Sequence, residues 1–240
     1  MRIKAFIRGR LLKLIGGISR QTIAHEYLRG EGLEIGALSL PLELPCGASA
    51  KYVDRLTVTE LRKHYPELAG VPLVNVDIQD DGESLASVAD GSQDFVIANH
   101  FLEHCENPVL ALKNMFRVLR IGGIAYFALP DKRFTFDKER PETALEHLWK
   151  DYTDGPGGSR KGHFEEWAEK VEKLKDGEAA RKRAARLMET GYSIHFHVFT
   201  QDGMLKFLSF LRERAGLEFG LKLCMAAGNE IVFVLQKREG

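Results

Sequence analysis

The chain has 240 residues, of which 44% are hydrophobic, and its 34 basic residues balance its 34 acidic residues. This length is enough for one α/β domain with a buried core, so we expect a single domain over residues 1–240. A zero net charge argues against a nucleic acid as partner. Three scattered cysteines are typical of the reducing cytoplasm rather than of a disulfide framework, and we expect a cytoplasmic protein.

The first 20 residues carry several basic side chains and no acidic one, and their apolar residues recur at helical spacing. This pattern predicts a basic amphipathic helix. Two interpretations stay open: residues 1–15 could contact a membrane surface, or the helix could lie on the domain and cover its ligand. Amphipathic helices more often pack on their own domain, so we favour the second interpretation. Together with a short helix over residues 19–28, this stretch forms a predicted N-terminal helical cap, residues 1–29.

Two predicted strands follow the cap and indicate a nucleotide site. The first ends at Glu34-Ile35-Gly36, and the second, residues 51–54, ends in Asp54. A carboxylate at the tip of a second strand can accept hydrogen bonds from both hydroxyls of a ribose. Prolines 41 and 45 leave little room for a helix between the strands, so we predict a loop in which Gly36 allows close approach of the backbone to a ligand.

The following segments predict alternating strands and helices. Strands are expected at residues 73–77, at 94–99 and after Gly122-Gly123, with the last two strands at 221–223 and 231–235. Helices are expected from Thr57 to Tyr65 and at 80–88, 107–120, 141–151, 163–188 and 202–215. Because ligands lie at the carboxyl ends of strands in open α/β sheets, one crevice should gather the residues at those ends. These are Gly36, Asp54, Asp77, Asn99, His100 and Asp131.

Three strings carry a family resemblance: VNVDI at 74–78, QDFVIANHFLEH at 93–104 and RIGGIAYFALP at 120–130. In this order and spacing they resemble the class I S-adenosylmethionine-dependent methyltransferases, in particular the small-molecule, type 11-like group. The resemblance covers about residues 30–130 and returns at the C-terminus. It implies an α/β, Rossmann-like fold with a seven-stranded, mostly parallel sheet, helices on both faces, an antiparallel last hairpin and a helical insertion after the fifth strand. That insertion, residues 131–199, should cover the acceptor side.

The resemblance also implies the cofactor S-adenosyl-L-methionine. Asp77 matches the family's residue for the edge of the adenine ring, although it could instead cap the turn that follows its strand. The residues expected to bind the cofactor are Glu34, Gly36, Ala37, Asp54, Arg55, Asp77, Ile78 and Asn99.

A hydroxyl acceptor must lose its proton when it is methylated, so the crevice needs a base. Three residues are candidates for this catalytic role: His100, His104 and Asp131. We place His100 first because it directly follows the fourth strand. Each of the three could instead be a polar residue that caps a strand or a helix, since histidine is often a structural hydrogen-bond donor.

The string from His100 to His104, HFLEH, also matches the HxxEH pattern of inverted zinc peptidases, but so short a match arises easily by chance. Some small-RNA and quinone O-methyltransferases hold a divalent ion with a similar ExxEH string, and His163, His195 or His197 could complete such a site. Against this, residues 195–200 are typical of the apolar segment that precedes the last helix. We therefore expect no metal.

The sequence thus predicts a methyltransferase that acts on a small molecule, with O-methylation of a polar, glycan-related acceptor as the favoured reaction. One alternative is an NAD(P)-binding Rossmann oxidoreductase, which shares the acidic strand tip but needs a GxGxxG motif that this chain lacks. A second alternative is a cofactor-binding module without catalysis. The sequence does not indicate the acceptor's identity or the oligomeric state.

Overall fold

The computed structural model describes residues 19–240. Seven strands form one sheet in the order β3-β2-β1-β4-β5-β7-β6. The first five are parallel, whereas β7 runs antiparallel to both β5 and β6. This confirms the predicted Rossmann-like, mostly parallel sheet with an antiparallel last hairpin. The strands are β1 Gly30–Ile35, β2 Ala48–Asp54, β3 Ile78–Gln79, β4 Gln93–Asn99, β5 Leu119–Pro130, β6 Phe219–Ala227 and β7 Glu230–Lys237.

The helices surround this sheet, and several begin at a side-chain cap. None of the helices between residues 19 and 240 combines the length and hydropathy that a bilayer crossing requires. The predicted amphipathic helix and membrane contact at the N-terminus involve residues that lie outside the described range. The helices are α1 Arg20–Tyr27, α2 Val58–His64, α3 Pro108–Val118, α4 Leu145–Asp154, α5 Gly157–Glu166, α6 Gly177–Glu189 and α7 Gln201–Ala215.

Both faces of the sheet are covered because side chains alternate along its central strands. In β4, Phe95 and Ile97 belong to the core beneath α1, while Val96 and Ala98 belong to the core shared with α3, α4 and α7. All four side chains are buried. A central strand that is apolar on both faces is what a parallel sheet between two helical layers requires.

A helical insertion follows β5, as predicted, and it has an apolar core of its own. Phe164 and Trp167 pack there with residues of α6 and with the extended segment that leads to α7. A buried arginine, Arg140, joins Asp137 and Glu166 through ion pairs of 2.8 and 2.9 Å. The insertion is therefore held by its own packing and its own charges, in addition to its contacts with the sheet.

Three elements differ from the sequence prediction. The third strand occupies Ile78–Gln79 rather than residues 73–77, and residues 80–88 form turns instead of a short helix. The helix predicted over 163–188 is interrupted between α5 and α6, where Lys173 adopts a φ of +59°. Charged residues fill this interruption, so helical spacing of the charges alone did not reveal the break.

The loop between β1 and β2 is irregular, as the prolines predicted. Gly36 has a φ of +65°, a conformation that glycine adopts without strain, and its N–H donates to the Val53 carbonyl over 2.9 Å. The order of the strands reverses between β1 and β4, with β2 and β3 on one side and β5 on the other. In such sheets the crevice at this reversal, at the carboxyl ends of the strands, is where ligands bind.

Candidate active site

A cleft of about 750 Å³ lies at the carboxyl ends of β1, β2 and β4. The sheet and the segments around α2 and β3 form one wall, and the helical insertion forms the other. The sheet-side residues that line it include Ile35, Gly36, Val53, Asp54, Arg55, Asp81, Gly82, Glu83, His100, Phe101 and His104. The insertion contributes Pro156, Arg160, Gly191, Tyr192, Ser193 and Phe196.

Three of the residues predicted to bind the cofactor line this cleft: Gly36, Asp54 and Arg55. Asp54 ends β2, and its Oδ1 accepts the Leu56 N–H over 3.1 Å. Burial raises the pKa of its carboxyl above the ordinary value, although that hydrogen bond acts in the opposite direction. The carboxylate therefore sits at a strand tip, partly removed from water, where a ribose hydroxyl could donate to it.

The other predicted cofactor residues do not line the cleft. Glu34 is buried, and both its carboxylate oxygens accept the Leu42 N–H, at 2.9 and 3.1 Å, so it fixes the loop after β1. Burial raises its pKa to about 7. Asp77 accepts the Tyr52 N–H over 2.9 Å at the outer part of the sheet. Ile78 lines a separate groove of about 440 Å³, and Ala37 is half-buried beside Gly36.

Asn99 differs from these four because its side chain has unused hydrogen-bonding capacity. Its Oδ1 and Nδ2 are both buried, and neither has a hydrogen-bond partner among residues 19–240. Unpaired buried amides are costly. Asn99 is nevertheless not among the residues that line the cleft, so its contact with the cofactor stays a prediction.

The cleft residues that the sequence prediction did not include comprise Asp81, Gly82 and Glu83 on the sheet side and Arg160 and Tyr192 on the insertion side. The first three follow the short β3, and the strand-end rule would have selected them if that strand had been placed at 78–79. A Cβ on Gly82 would lie 2.6 Å from a methyl carbon of Ile35, so the close approach requires glycine. The Glu83 carboxylate accepts the N–H groups of Glu106 and Asn107, and burial raises its pKa to about 7.

His100 lines the cleft but is poorly suited to be the base. Its Nδ1 lies 3.2 Å from a Glu103 oxygen and its Nε2 lies 3.0 Å from a Glu230 oxygen. Both ring nitrogens must carry protons to make both bonds. These two hydrogen bonds raise the pKa of His100 to about 9, so the ring is already protonated at neutral pH and cannot accept another proton.

His104 has the opposite environment. Its Nδ1 lies 2.9 Å from the Ile194 carbonyl oxygen, which can only accept, so Nδ1 carries the proton and Nε2 keeps its lone pair. Burial lowers the pKa of His104 below the ordinary value. At neutral pH this residue is therefore a neutral imidazole on the cleft wall.

Asp131, the third candidate base, is not among the lining residues. It is buried directly after β5 and accepts three hydrogen bonds from the Arg133 side chain, of 2.9, 3.2 and 2.6 Å. The Arg133 guanidinium lowers the pKa of this carboxyl. An ion-paired carboxylate away from the cleft is unsuited to remove the acceptor's proton.

One group of side chains at the cleft could also hold a divalent ion. Glu103, His104 and His195 offer ligand atoms that all lie within 4.8 Å of one another. Of the remote histidines that the sequence left open, His195 is therefore the one whose ring nitrogen lies with the ligand atoms of Glu103 and His104. Its Nδ1 donates to Asp137 Oδ2 over 2.6 Å, which fixes the orientation of the ring.

Comparisons with known proteins point to the same family as the sequence motifs. Residues 42–127 match the model of the methyltransferase domain family. No protein of curated function matches the chain significantly.

Solved structures resemble the fold. A methyltransferase dependent on S-adenosylmethionine from Methanosarcina mazei is 22% identical, with 91% of this chain and 98% of that chain covered and a TM-score of 0.49. One from Thermotoga maritima is 18% identical, with 98% and 96% covered and a TM-score of 0.48. A Rhodobacter sphaeroides protein to which zinc-dependent alcohol dehydrogenase activity has been ascribed is 16% identical, with 92% and 89% covered and a TM-score of 0.51. At these identities the likeness concerns the fold alone.

The matched family segment contains β2, β3, β4 and most of β5, and thus the strand ends that form the sheet side of the cleft. An acidic strand tip, Asp54, and a glycine turn at Gly36 fit an adenosine-containing cofactor. Nothing favours the nicotinamide alternative. Residues 42–127 of this chain thus match the methyltransferase domain family, in agreement with the family resemblance of the sequence motifs.

Proposed function

We propose that this enzyme transfers the methyl group of S-adenosylmethionine to a hydroxyl group of a polar, glycan-related small molecule. One observation carries the proposal: the cleft wall contains His104, a neutral imidazole whose Nδ1 is engaged by a backbone carbonyl. The remaining nitrogen, Nε2, is free to accept a proton. A hydroxyl is the acceptor group that most needs such a base, since it becomes a strong nucleophile only when its proton is removed.

The surroundings of His104 suit this role. The cofactor supplies an electrophilic methyl group, so the protein's tasks are to align the acceptor, exclude water and remove the proton. Once protonated, the His104 imidazolium would be stabilised by the buried Glu103 carboxylate, whose charge opposes the effect of burial on the His104 pKa. His100 is already paired with the same carboxylate and contributes a fixed positive charge.

The chemistry of the insertion wall supports a polar acceptor. Arg160 is paired with Glu106 over 2.7 Å, and Tyr192 and Ser193 add hydroxyl groups. On the opposite, sheet-side wall the ring of Phe101 adds an apolar surface. A sugar combines several hydroxyls with apolar ring faces, so a wall of this composition suits a carbohydrate better than a purely apolar molecule.

An acceptor survey tests the reaction type. The enzyme would be incubated with methyl-¹³C-labelled cofactor and with sugars, other hydroxylated molecules, amines and thiols. We expect label in an O-methyl group, identified by NMR correlation from the methyl protons to the neighbouring carbon. Label found only on nitrogen, sulfur or carbon would contradict the proposal.

A substitution tests the base. We expect His104→Gln to lower kcat by about 100- to 10,000-fold, while the affinity for S-adenosylhomocysteine stays near that of the unchanged enzyme. His25→Gln, at an exposed histidine of α1, is the matched control and should retain full activity. In the unchanged enzyme kcat should rise with pH as His104 loses its proton, and this rise should disappear in His104→Gln. Full turnover in that variant would refute the assignment.

The effect of added metal ions distinguishes two roles for His104, that of a base and that of a metal ligand. If His104 acts as a base, Mg²⁺ or Mn²⁺ should leave the rate unchanged over a wide concentration range. A rate that depends on either ion would instead assign Glu103, His104 and His195 to a metal centre.

A further inference from the structure

A second cluster of metal-ligand side chains lies inside the insertion, outside the groups discussed above. His147 and Asp151 are four residues apart on α4, and therefore on the same face of that helix. His163 comes from α5, and His197 from the extended segment before α7. Their ligand atoms all lie within 4.8 Å of one another. We propose that these four residues bind a zinc ion.

The distances between the donor atoms suit one ion. His147 Nε2 lies 3.0 Å from His163 Nε2 and 3.0 Å from Asp151 Oδ2, and His197 Nε2 lies 3.8 Å from that same oxygen. Donors at zinc distances of about 2.0–2.2 Å in a tetrahedron are about 3.3–3.6 Å apart. The observed separations lie on both sides of this range.

The cluster also contains buried polar atoms that have no partner. Asp151 and His197 are both more than nine-tenths buried, with 3% and 0% of their surfaces exposed. Asp151 Oδ2 makes no hydrogen bond among the described residues, although His147 Nε2 lies close to it. His197 Nδ1 also has no partner among them, whereas its Nε2 lies 3.4 Å from the Glu106 carbonyl oxygen. An unpaired buried carboxylate oxygen is costly, and a bound cation would remove that cost.

The chemical types of the four donors also suit zinc. Neutral imidazoles and one carboxylate are ligands of zinc, and a complete set of four protein donors is typical of a structural zinc site. Asp151 Oδ1 accepts the Ser159 hydroxyl over 2.7 Å, an outer contact that orients the ligand.

The ion would hold the acceptor side of the cleft. Its ligands join α4, α5 and the segment around His197, and two of these elements contribute to the cleft wall through Pro156, Arg160 and Phe196. The expectation of a metal-free protein considered only the HxxEH string. It missed this cluster because the four donors are spread from residue 147 to residue 197 and meet only in the folded insertion.

Metal analysis of the purified full-length protein tests the proposal. After dialysis into metal-free buffer, we expect inductively coupled plasma mass spectrometry to find one zinc ion per chain. His163→Gln and Asp151→Asn should lose this zinc, while the control His25→Gln should keep it. Because the ring of His195 lies in the other cluster, His195→Gln should keep it too.

A spectroscopic measurement covers the case in which the ligand variants do not fold. X-ray absorption at the zinc edge of the unchanged protein should show four nitrogen or oxygen ligands at about 2.0–2.2 Å and no sulfur. Zinc loss in His195→Gln alone, a sulfur ligand, or failure of the unchanged protein to retain zinc supplied at micromolar concentration would overturn the proposal. None of these measurements depends on methyl transfer, so they stand apart from the proposed function.

Discussion

The two walls of the cleft are built in different ways. On the sheet side, the positions of Gly36 and Asp54 are set by the ends of β1 and β2, whose backbones are bonded to their neighbours along their length. On the insertion side, Arg160 and Phe196 are held by helix packing in a separate core and by a network of buried charges and histidines. One wall depends mainly on the backbone, and the other depends on particular side chains.

This difference indicates which wall is suited to bind the cofactor and which is suited to bind the acceptor. A sheet edge can present the same few groups to a cofactor in many chains, because hydrogen bonding of the backbone tolerates changes of side chain. A wall held by side-chain networks can be altered by a few substitutions, and is thus suited to a contact that differs from one acceptor to the next. We expect changes in the insertion to affect acceptor use and changes at strand tips to affect cofactor binding.

The largest expected effect comes from the core of the insertion. Phe164→Ala should destabilise this region by about 3–5 kcal/mol, because it removes a fully buried ring. Hydrogen exchange should become faster in residues 157–194 while the sheet amides stay protected, and S-adenosylhomocysteine should bind within about threefold of its original affinity. Phe95→Ala in the sheet core is the control, and it should lower both the protection of the sheet amides and the affinity for S-adenosylhomocysteine. Equal loss of protection in sheet and insertion after Phe164→Ala would show that the walls unfold together.

A smaller effect is expected at the strand tip. Asp54→Ala should weaken S-adenosylhomocysteine binding by about 1–3 kcal/mol, measured by calorimetry, because the ligand loses a charged acceptor in a half-buried position. Asp77→Ala is a matched control, since this carboxylate accepts the Tyr52 N–H and does not line the cleft. If Asp54→Ala and Asp77→Ala weakened binding equally, the assignment of Asp54 as the residue that contacts the cofactor would be wrong.

The smallest effect concerns His100, which links the sheet to a buried carboxylate. Its pKa of about 9 lies above the ordinary value, so its pairing stabilises the fold fully below about pH 6.5, and this contribution is lost as the pH rises through 9. The difference in Tm between the unchanged protein and His100→Gln should shrink over this range. Because 41% of the side chain is exposed, the stabilisation should stay below about 1 kcal/mol. A difference that grows with pH would contradict this assignment.

Much of the sheet and of its strand-end site could be predicted from the sequence. The apolar run at residues 94–99, the prolines after Gly36 and the acid at 54 each act through local chemistry, so one short segment is enough to interpret them. The helix after Thr57 also formed as predicted, with a reciprocal cap between Thr57 and Glu60. The third strand was misplaced because only two of its residues pair with β2.

Protonation states and distant partners could not be predicted in this way. His100 and His104 are four residues apart in one string, yet His100 is positively charged through its bonds to Glu103 and Glu230, whereas His104 is buried, neutral and bonded to the Ile194 carbonyl. Likewise, the environment of Asp131 depends on an arginine two residues away that could have pointed into solvent. Such assignments require the folded chain, since burial and remote partners decide which nitrogen or oxygen holds the proton.

Glu230 has a consequence for how the site is completed. It begins β7, yet its two oxygens contact His100 at 3.0 Å and Arg20 at 3.1 Å. A ribosome that has made the chain only to residue 220 has therefore produced every cleft residue named above, but only Glu103 of the two carboxylates that keep His100 charged. The nascent protein acquires its final electrostatics only when the last hairpin joins the sheet, and deletion of that hairpin would disturb the centre of the site from a distance in sequence of 130 residues.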